Sequence, residues 1–422
     1  MLSHRIALAS FGSFGDLHPY LSIAGELKRR GHHPIIATIA MYRDKVEAAG
    51  FEFRLLRTAL VDRPDAELMQ QVLDLRNGAE FIVRKLMMPA LPVAYADARE
   101  AFAGVSLVVV HPMVYGARLA AEAMQIPWVF TQLAPMGFFS AYDPPALPVA
   151  PWLAHLRSLG PAFFRPFLSL AKRSVRDWSD PYHKLRSELG LPPAGDPMFD
   201  GAYSKGLVLA LFSKILGDKM PDWPEQTVTT GFPFYDGEDT CLCRELGDFL
   251  DAGDPPIVFT LGTSAVLDAG GFYQQSAEAA QALGKRAILL VGSEPANIPT
   301  NLPSTILPIA YAPFSLLFPR ATAIVHQGGV GTTGQAMRSG KPMLVMPYAV
   351  DQPDNAERVR RLGIARVLAR RAFSSAAAAR ELYILLQDGR YRKASAEIAG
   401  KIALEDGAGT ACDHLLRYLE QI

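Results

Sequence analysis

Two glycine-rich turns constrain this chain more than any other feature. GSFGD (12–16) leaves the apolar run RIALAS (5–10) and enters PYLSIAGELKRRG, where Leu21, Ala24 and Leu27 recur at helical spacing. QGGVG (327–331) leaves TAIVH and enters TTGQAMRSG in the same order. A short apolar strand, a tight glycine turn and a helix make the first part of a βαβ unit, so each turn commits its surroundings to a parallel sheet. Pro19 suits a first helical turn and Gly31 a C-terminal cap. PIIATI (34–39), SLVVVH (106–111), PWVFTQ (127–132), GLVLALF (206–212) and TVTTG continue the strands of the first half. IVFTLG, RAILLV, TAIVH and PMLVMP are those of the second.

A chain of 422 residues exceeds one ordinary core, and two domains are expected. The stretch FPFYDGEDTCLCRELGDFLDAGDPP (232–256), rich in acids, glycine and proline, reads as the linker between them. Each half is then a doubly wound α/β unit, and ligands of such sheets sit beyond the carboxyl ends of the strands. The cleft between two such domains is the default site. Lys plus Arg and Asp plus Glu both number 42, which argues against a nucleic-acid partner. Three cysteines cannot build a disulfide framework, and Cys241-x-Cys243 lacks a second pair at metal spacing. The amino terminus reaches glycine and aspartate before a signal-like apolar core forms, and no apolar run approaches the ~18 residues of a membrane helix. A cytoplasmic protein is expected, with any membrane contact peripheral.

The stretch from His326 to Val359 carries chemistry. After QGGVG the free N–H groups and positive dipole end of a helix face whatever lies above the strand, which favours an anion. Thr332 and Thr333 add hydroxyls. No lysine stands where a phosphate-binding loop of the Walker type needs one. Asp351 and Gln352, beyond the strand GKPMLVMP, can accept from and donate to vicinal hydroxyls such as those of a sugar.

In this order and spacing the residues resemble the donor-binding signature of family 1 and family 28 nucleotide-sugar glycosyltransferases of the GT-B fold: His-x-Gly-x-Gly-Thr, Gly-x-Pro, Asp-Gln. The likeness extends to bacterial rhamnosyltransferases, sterol glucosyltransferases and antibiotic glycosyltransferases, whose amino-terminal Gly-Ser-x-Gly-Asp-x-x-Pro appears here as GSFGDLHP (12–19). The resemblance implies an α/β architecture of two Rossmann-like domains facing a cleft. Residues 1–235 would bind the acceptor and 236–406 the donor, with the helix 407–422 packing back on the first domain. Tyr311 would stack on the nucleobase. Thr263 and Ser264 would lie near the diphosphate, Gly329, Gly331, Thr332 and Thr333 would cradle it, and Asp351 and Gln352 would hold the sugar. Two departures stand out. Many relatives have two histidines before the glycines where this chain has His326-Gln327, so either residue could reach the diphosphate. Gln335 replaces a glutamate that bridges the ribose, which leaves UDP and TDP both open.

Sugar transfer to a hydroxyl needs a base. In the frame Gly15-Asp16-Leu17-His18-Pro19 the resemblance puts Asp16 at that position. Helix capping is its structural alternative, and His18 is the rival base. His111, ending SLVVVH, would pair with Asp16. Ser13 is a hydrogen-bond donor toward the donor phosphate or sugar. The leaving diphosphate is served by a helix terminus and hydroxyls, so neither metal nor cofactor is expected, and a single displacement predicts inversion. The proline-rich apolar stretch 134–178 reads as a packed helical excursion or as walls of an apolar acceptor pocket. On the second reading Met136, Phe138 and Phe139, with His18, touch the acceptor, a lipid, terpenoid, polyketide or flavonoid. A dinucleotide oxidoreductase lacks its glycine spacing here. A nucleotide-sugar epimerase or a non-catalytic sugar-nucleotide binder remain alternatives.

Overall fold

The computed structural model describes residues 3–58, 66–237 and 241–422; residues 238–240 of the expected linker lie outside them. Strands β1 (Arg5–Ala9), β2 (His33–Thr38), β3 (Glu52–Leu55), β4 (Leu107–Val110), β5 (Trp128–Gln132), β6 (Val208–Ala210) and β7 (Thr227–Thr229) form a parallel sheet in the order β3-β2-β1-β4-β5-β6-β7. Strands β8 (Ile257–Thr260), β9 (Ala287–Leu290), β10 (Ile306–Ile309), β11 (Ala323–His326), β12 (Met343–Val345) and β13 (Ala365–Val367) form a second, in the order β10-β9-β8-β11-β12-β13. All pairings in both sheets are parallel. Every residue of β4 and β8 is buried, as central strands covered on both faces require. Two Rossmann-like sheets of this kind are the GT-B architecture.

The strand orders fix where function can sit. In the first sheet the chain steps outward from β1 through β2 and β3, then returns to the other side at β4. In the second, β8 and β11 are the equivalent pair. The loops after these four strands diverge and leave a crevice at each sheet's carboxyl edge. Asp16 follows β1, His111 follows β4, Thr263 follows β8 and Gln327 follows β11.

The last helix, Gly407–Gln421, belongs to the first sheet's core. Cys412 is buried under the Phe14–Arg29 helix with its Sγ 3.6 Å from Ile23 O, and Arg30 pairs with Asp413 at 2.5 Å. The stretch 134–178 does not wall the cleft. It holds a 3-10 helix (Pro151–Leu159) and an α-helix (Gly160–Ser174) over a small core of Ala141, Leu153, Phe164 and Leu168. Phe138 is buried against Trp223, with ring centroids 3.9 Å apart, and Phe139 packs edge-on to Phe199. Phe138 and Phe139 therefore pack within the first domain, and neither they nor Met136 line the cleft.

The same excursion grips the second domain. Ala146 N–H donates to Asp354 Oδ1 (2.9 Å), Arg358 Nε donates to Asp354 Oδ2 (2.6 Å), and Arg358 also pairs with Asp143. Arg157 reaches Pro144 O (2.6 Å) and Glu357 (3.5 Å). Burial works against the charge on Asp143, but Arg358, Arg361 and Arg157 together hold it below the ordinary carboxylate range. Its stabilising contribution is present above about pH 4, the ordinary value, and is lost as pH falls through its lower folded value. Arg358→Met removes the closer of the two cations of the fully buried Asp354, leaving only Arg157 at 3.5 Å, and removal of one partner from such a buried pair costs about 3–5 kcal/mol. Urea unfolding at neutral pH is expected to show that loss, and a change below about 1 kcal/mol would show that the network is not a clamp.

Candidate active site

The cleft is one cavity of about 650 Å³ lined from both domains. On its first wall the helix Phe14–Arg29 begins one turn earlier than the sequence implied, because Ser13 and Asp16 form a capping box. Pro19 thus falls inside the helix and not in its first turn. Asp16 Oδ2 accepts from Ser13 N–H (2.7 Å) and from the Ser13 hydroxyl (3.0 Å), while Ser13 Oγ accepts from Gly15 N–H (3.2 Å). Capping and chemistry are thus not alternatives for Asp16. Ser13 directs its proton to Asp16, so it is a brace for that carboxylate before it is a donor to any ligand. Gly12 has φ +121°, and a Cβ there would lie 2.3 Å from Asp16 Oδ2.

The other carboxylate oxygen faces β4. His111 Nε2 stands 3.3 Å from Asp16 Oδ1, and His111 Nδ1 accepts from Met113 N–H at 3.1 Å. A neutral imidazole whose Nδ1 accepts carries its proton on Nε2. His111 therefore donates to Asp16 and fixes the direction of its carboxyl group. His18, two residues on, lines the cleft with its ring between Phe14 and Tyr235. Burial, with Lys45 nearby, lowers its pKa to about 4, so it is neutral at pH 7 and a weak base.

On the facing wall the helix Val330–Ser339 points its amino terminus into the cleft, and Gly329, Gly331 and Thr332 line it. Gly331 comes so near the first helix that a Cβ on it would lie 3.6 Å from Gly15 Cα. Gln327 lines the cleft, and its Oε1 is buried without a partner. It presses so close to Gly262 (φ +65°) that a Cβ there would meet its Nε2 at 2.3 Å. His326 is fully buried instead, its Nδ1 accepting from Gly328 N–H at 3.0 Å and its Nε2 beside Met343 Sδ; burial lowers its pKa to about 3. Of the two residues left open by the sequence, only Gln327 reaches the cleft. Thr333 is also fully buried and does not line it.

Thr263, Ser264, Tyr311, Gln335, Asp351 and Gln352 all line the cavity. Tyr311 is 66% exposed. Gln335 Nε2 reaches Asp236 at 3.3 Å. Gln352 Oε1 accepts from Tyr348 N–H (2.8 Å), so its amide NH2 is the group it has left to offer. Asp351 Oδ2 accepts from Asn355 Nδ2 at 2.7 Å. Val350, just before it, has φ +57°, a strained backbone for a β-branched residue. The sequence reading missed Lys45, Phe232 and Tyr235, which also line the cleft. FPFYD read as linker, and nothing local marks Lys45; only the packing of the Arg43–Ala48 helix beside the first turn brings it there.

Burial raises the Asp351 pKa to about 7, and the Asp16 carboxylate adds to the rise. A carboxyl raised on folding holds its proton longer in the folded state, so it removes stability as pH climbs from about 4 to about 7. Asp351→Asn is expected to gain melting temperature relative to the parent across that window, with a constant difference above it. Parallel pH profiles for both proteins would show that Asp351 titrates normally.

Comparison with known proteins gives a consistent result. The glycosyltransferase family 28 N-terminal domain matches residues 6–139, and the erythromycin biosynthesis protein CIII-like C-terminal domain matches residues 278–408. The O-mycaminosyltylonolide 6-deoxyallosyltransferase of Streptomyces fradiae is 31% identical over 421 residues, covering 97% of this chain and 96% of that protein. Among solved structures, the glycotransferase of kitacinnamycin superposes with a TM-score of 0.72 at 21% identity, covering 99% of this chain and 100% of that one. The spinosyn rhamnosyltransferase SpnG complexed with thymidine diphosphate gives 0.69 at 18% identity, with 98% and 100% covered.

Proposed function

This chain belongs to the nucleotide-sugar glycosyltransferases of the GT-B fold, and from that premise we propose that Asp16 is the base of an inverting transfer from a UDP- or TDP-sugar to a hydroxyl of an apolar small molecule. The carrying observation is that the braced Asp16 carboxylate and the open helix end at Gly329–Thr332 stand on opposite walls of one cleft. The acceptor hydroxyl gives its proton to Asp16 as its oxygen bonds to the anomeric carbon. The bond from that carbon to the diphosphate breaks on the opposite face, and the electron pair leaves with the diphosphate. Attack from the face opposite the leaving group inverts the centre.

Each wall has a part. The helix amides, the Thr332 hydroxyl and the Gln327 amide receive the charge that develops on the diphosphate, so no metal is needed for it. Asp351 and Gln352 bind sugar hydroxyls, and Tyr311 offers its exposed ring to the base. Gln335 meets the ribose. His111 is a positioning residue: its contact with Oδ1 aims the Asp16 carboxylate. A thymidine diphosphate complex of a relative of the same fold supports a TDP-linked donor, and the name of the Streptomyces fradiae relative supports a deoxysugar. An apolar acceptor agrees with Leu133, Leu211 and Phe232 in the lining. A non-catalytic binder leaves the braced base without a task, and an epimerase, which takes no acceptor, leaves the apolar lining without one.

Thermal-shift titration is expected to show stabilisation by UDP or TDP and their sugars but not by NAD, weakened for the sugars by Gln352→Ala. With the donor so identified, Asp16→Asn should keep donor binding and lose about two to four orders of magnitude in transfer rate. His111→Ala should lose about a hundredfold through misplacement. Full activity in Asp16→Asn would remove Asp16 as the base, and stabilisation by NAD alone would remove the donor assignment.

A further inference from the structure

Sixteen large apolar side chains stand exposed among the described residues, and six of them fall within residues 142–170: Tyr142, Val149, Trp152, Leu159, Phe163 and Leu170. Trp152 is 59% exposed and Leu170 67%. They share one excursion: Trp152 and Leu159 lie on the helix Pro151–Leu159, Phe163 and Leu170 on the helix Gly160–Ser174, and Tyr142 and Val149 on the segment that leads into them. In the second helix Phe164 and Leu168 face the small core, while Phe163, Pro166 and Leu170 recur beside them at helical spacing and face solvent. The apolar arc of this helix is wider than the protein covers.

Charge sorts the same way. Between Asp143 and Asp177 the sequence holds no acid and five cations, Arg157, Arg165, Lys172, Arg173 and Arg176, in a chain whose formal net charge is zero. Arg157 is turned inward to the clamp. Arg165 donates to Tyr142 Oη (2.8 Å) over the exposed tyrosine ring, and Lys172 pairs with the exposed Asp200 at 3.3 Å. Arg173 and Arg176 are exposed. Phenylalanine and leucine on one side of a helix, with an exposed tryptophan on the helix before it and arginines along and just beyond it, fit a segment that lies in a lipid interface, and clustered cations beside it select anionic headgroups.

We propose that this face docks the enzyme on an anionic membrane surface, with Trp152, Leu159, Phe163 and Leu170 in the headgroup layer and Arg165, Arg173 and Arg176 on lipid phosphates. The contact is peripheral, since no helix among the described residues is long and apolar enough to cross a membrane. It requires nothing of the transfer chemistry and stands or falls separately from it. An apolar acceptor dissolved in that membrane would meet the enzyme at the surface.

The test is flotation of the full chain with vesicles of phosphatidylcholine alone and of phosphatidylcholine with phosphatidylglycerol. The protein is expected on the phosphatidylglycerol vesicles only, and raised salt should release it. Trp152→Ser with Leu170→Ser, and separately Arg165→Glu with Arg173→Glu, should each weaken binding at least about tenfold. Both should keep the parental melting temperature, because these side chains stand in solvent. No binding to phosphatidylglycerol vesicles, equal binding to phosphatidylcholine alone, or binding untouched by both variants would overturn the proposal. So would lipid-free self-association abolished by Trp152→Ser, which would make this face a contact between copies.

Discussion

The site depends on two helix N-termini brought nose to nose. The helices Phe14–Arg29 and Val330–Ser339 point their free amides and positive dipole ends at one another across the cleft, and they meet at Gly15 and Gly331. Two positive ends so close repel unless something negative stands between. Asp16 answers this on one side by capping its own helix, while Asp351 on the other, its pKa raised to about 7 by burial and by Asp16, answers it only in part. A diphosphate meets the need more fully than either carboxylate. The sheet topology makes the arrangement unavoidable, because β1 and β4 in one domain, and β8 and β11 in the other, are where strand order reverses.

Such a cleft needs its walls held in register. The buried cluster of Asp143, Asp354, Arg157 and Arg358 ties the excursion of the first domain to the helix Gln352–Arg361, which begins at the pair proposed to hold the sugar, Asp351 as its N-cap and Gln352 as its first residue. The strain at Val350 sits just ahead of that turn and is sustained by Gln352, which accepts from the Tyr348 amide. The helix that starts at Asp351 and Gln352 is thus anchored from the other domain through Asp354 and Arg358. The excursion that makes this clamp also carries the exposed apolar face.

Much of this was legible in the sequence, and the rest failed for physical reasons. Central strands such as β1, β4, β8 and β11 showed as apolar runs. β3, β10 and β13, which the reading passed over, are edge strands; EFRL is half exposed, and β10 tolerates Pro308 because an edge strand can spare a donor. Asp16 and the turn at Gly329–Thr332 were found because their motifs are local. The fate of His326 was not, since β11 ends at His326 and it is the packing of that last strand residue against Met343 that buries it while Gln327 enters the loop. Phe138 and Phe139 misled because a proline-rich apolar run has the same composition whether it walls a pocket or fills its own core. Lys45 and the clamp arise from contacts between distant segments, and no spacing encodes them.

The central claim is that the diphosphate lies against the helix end in the second domain with its sugar turned toward Asp16. A crystal structure of the complex with UDP or TDP tests it most directly. The account predicts diphosphate oxygens within hydrogen-bond distance of the Gly329–Thr332 amides and of Gln327, with His326 still under β11 and the terminal phosphate facing Asp16. A nucleotide bound elsewhere, or His326 swung out to the phosphate in place of Gln327, would contradict it.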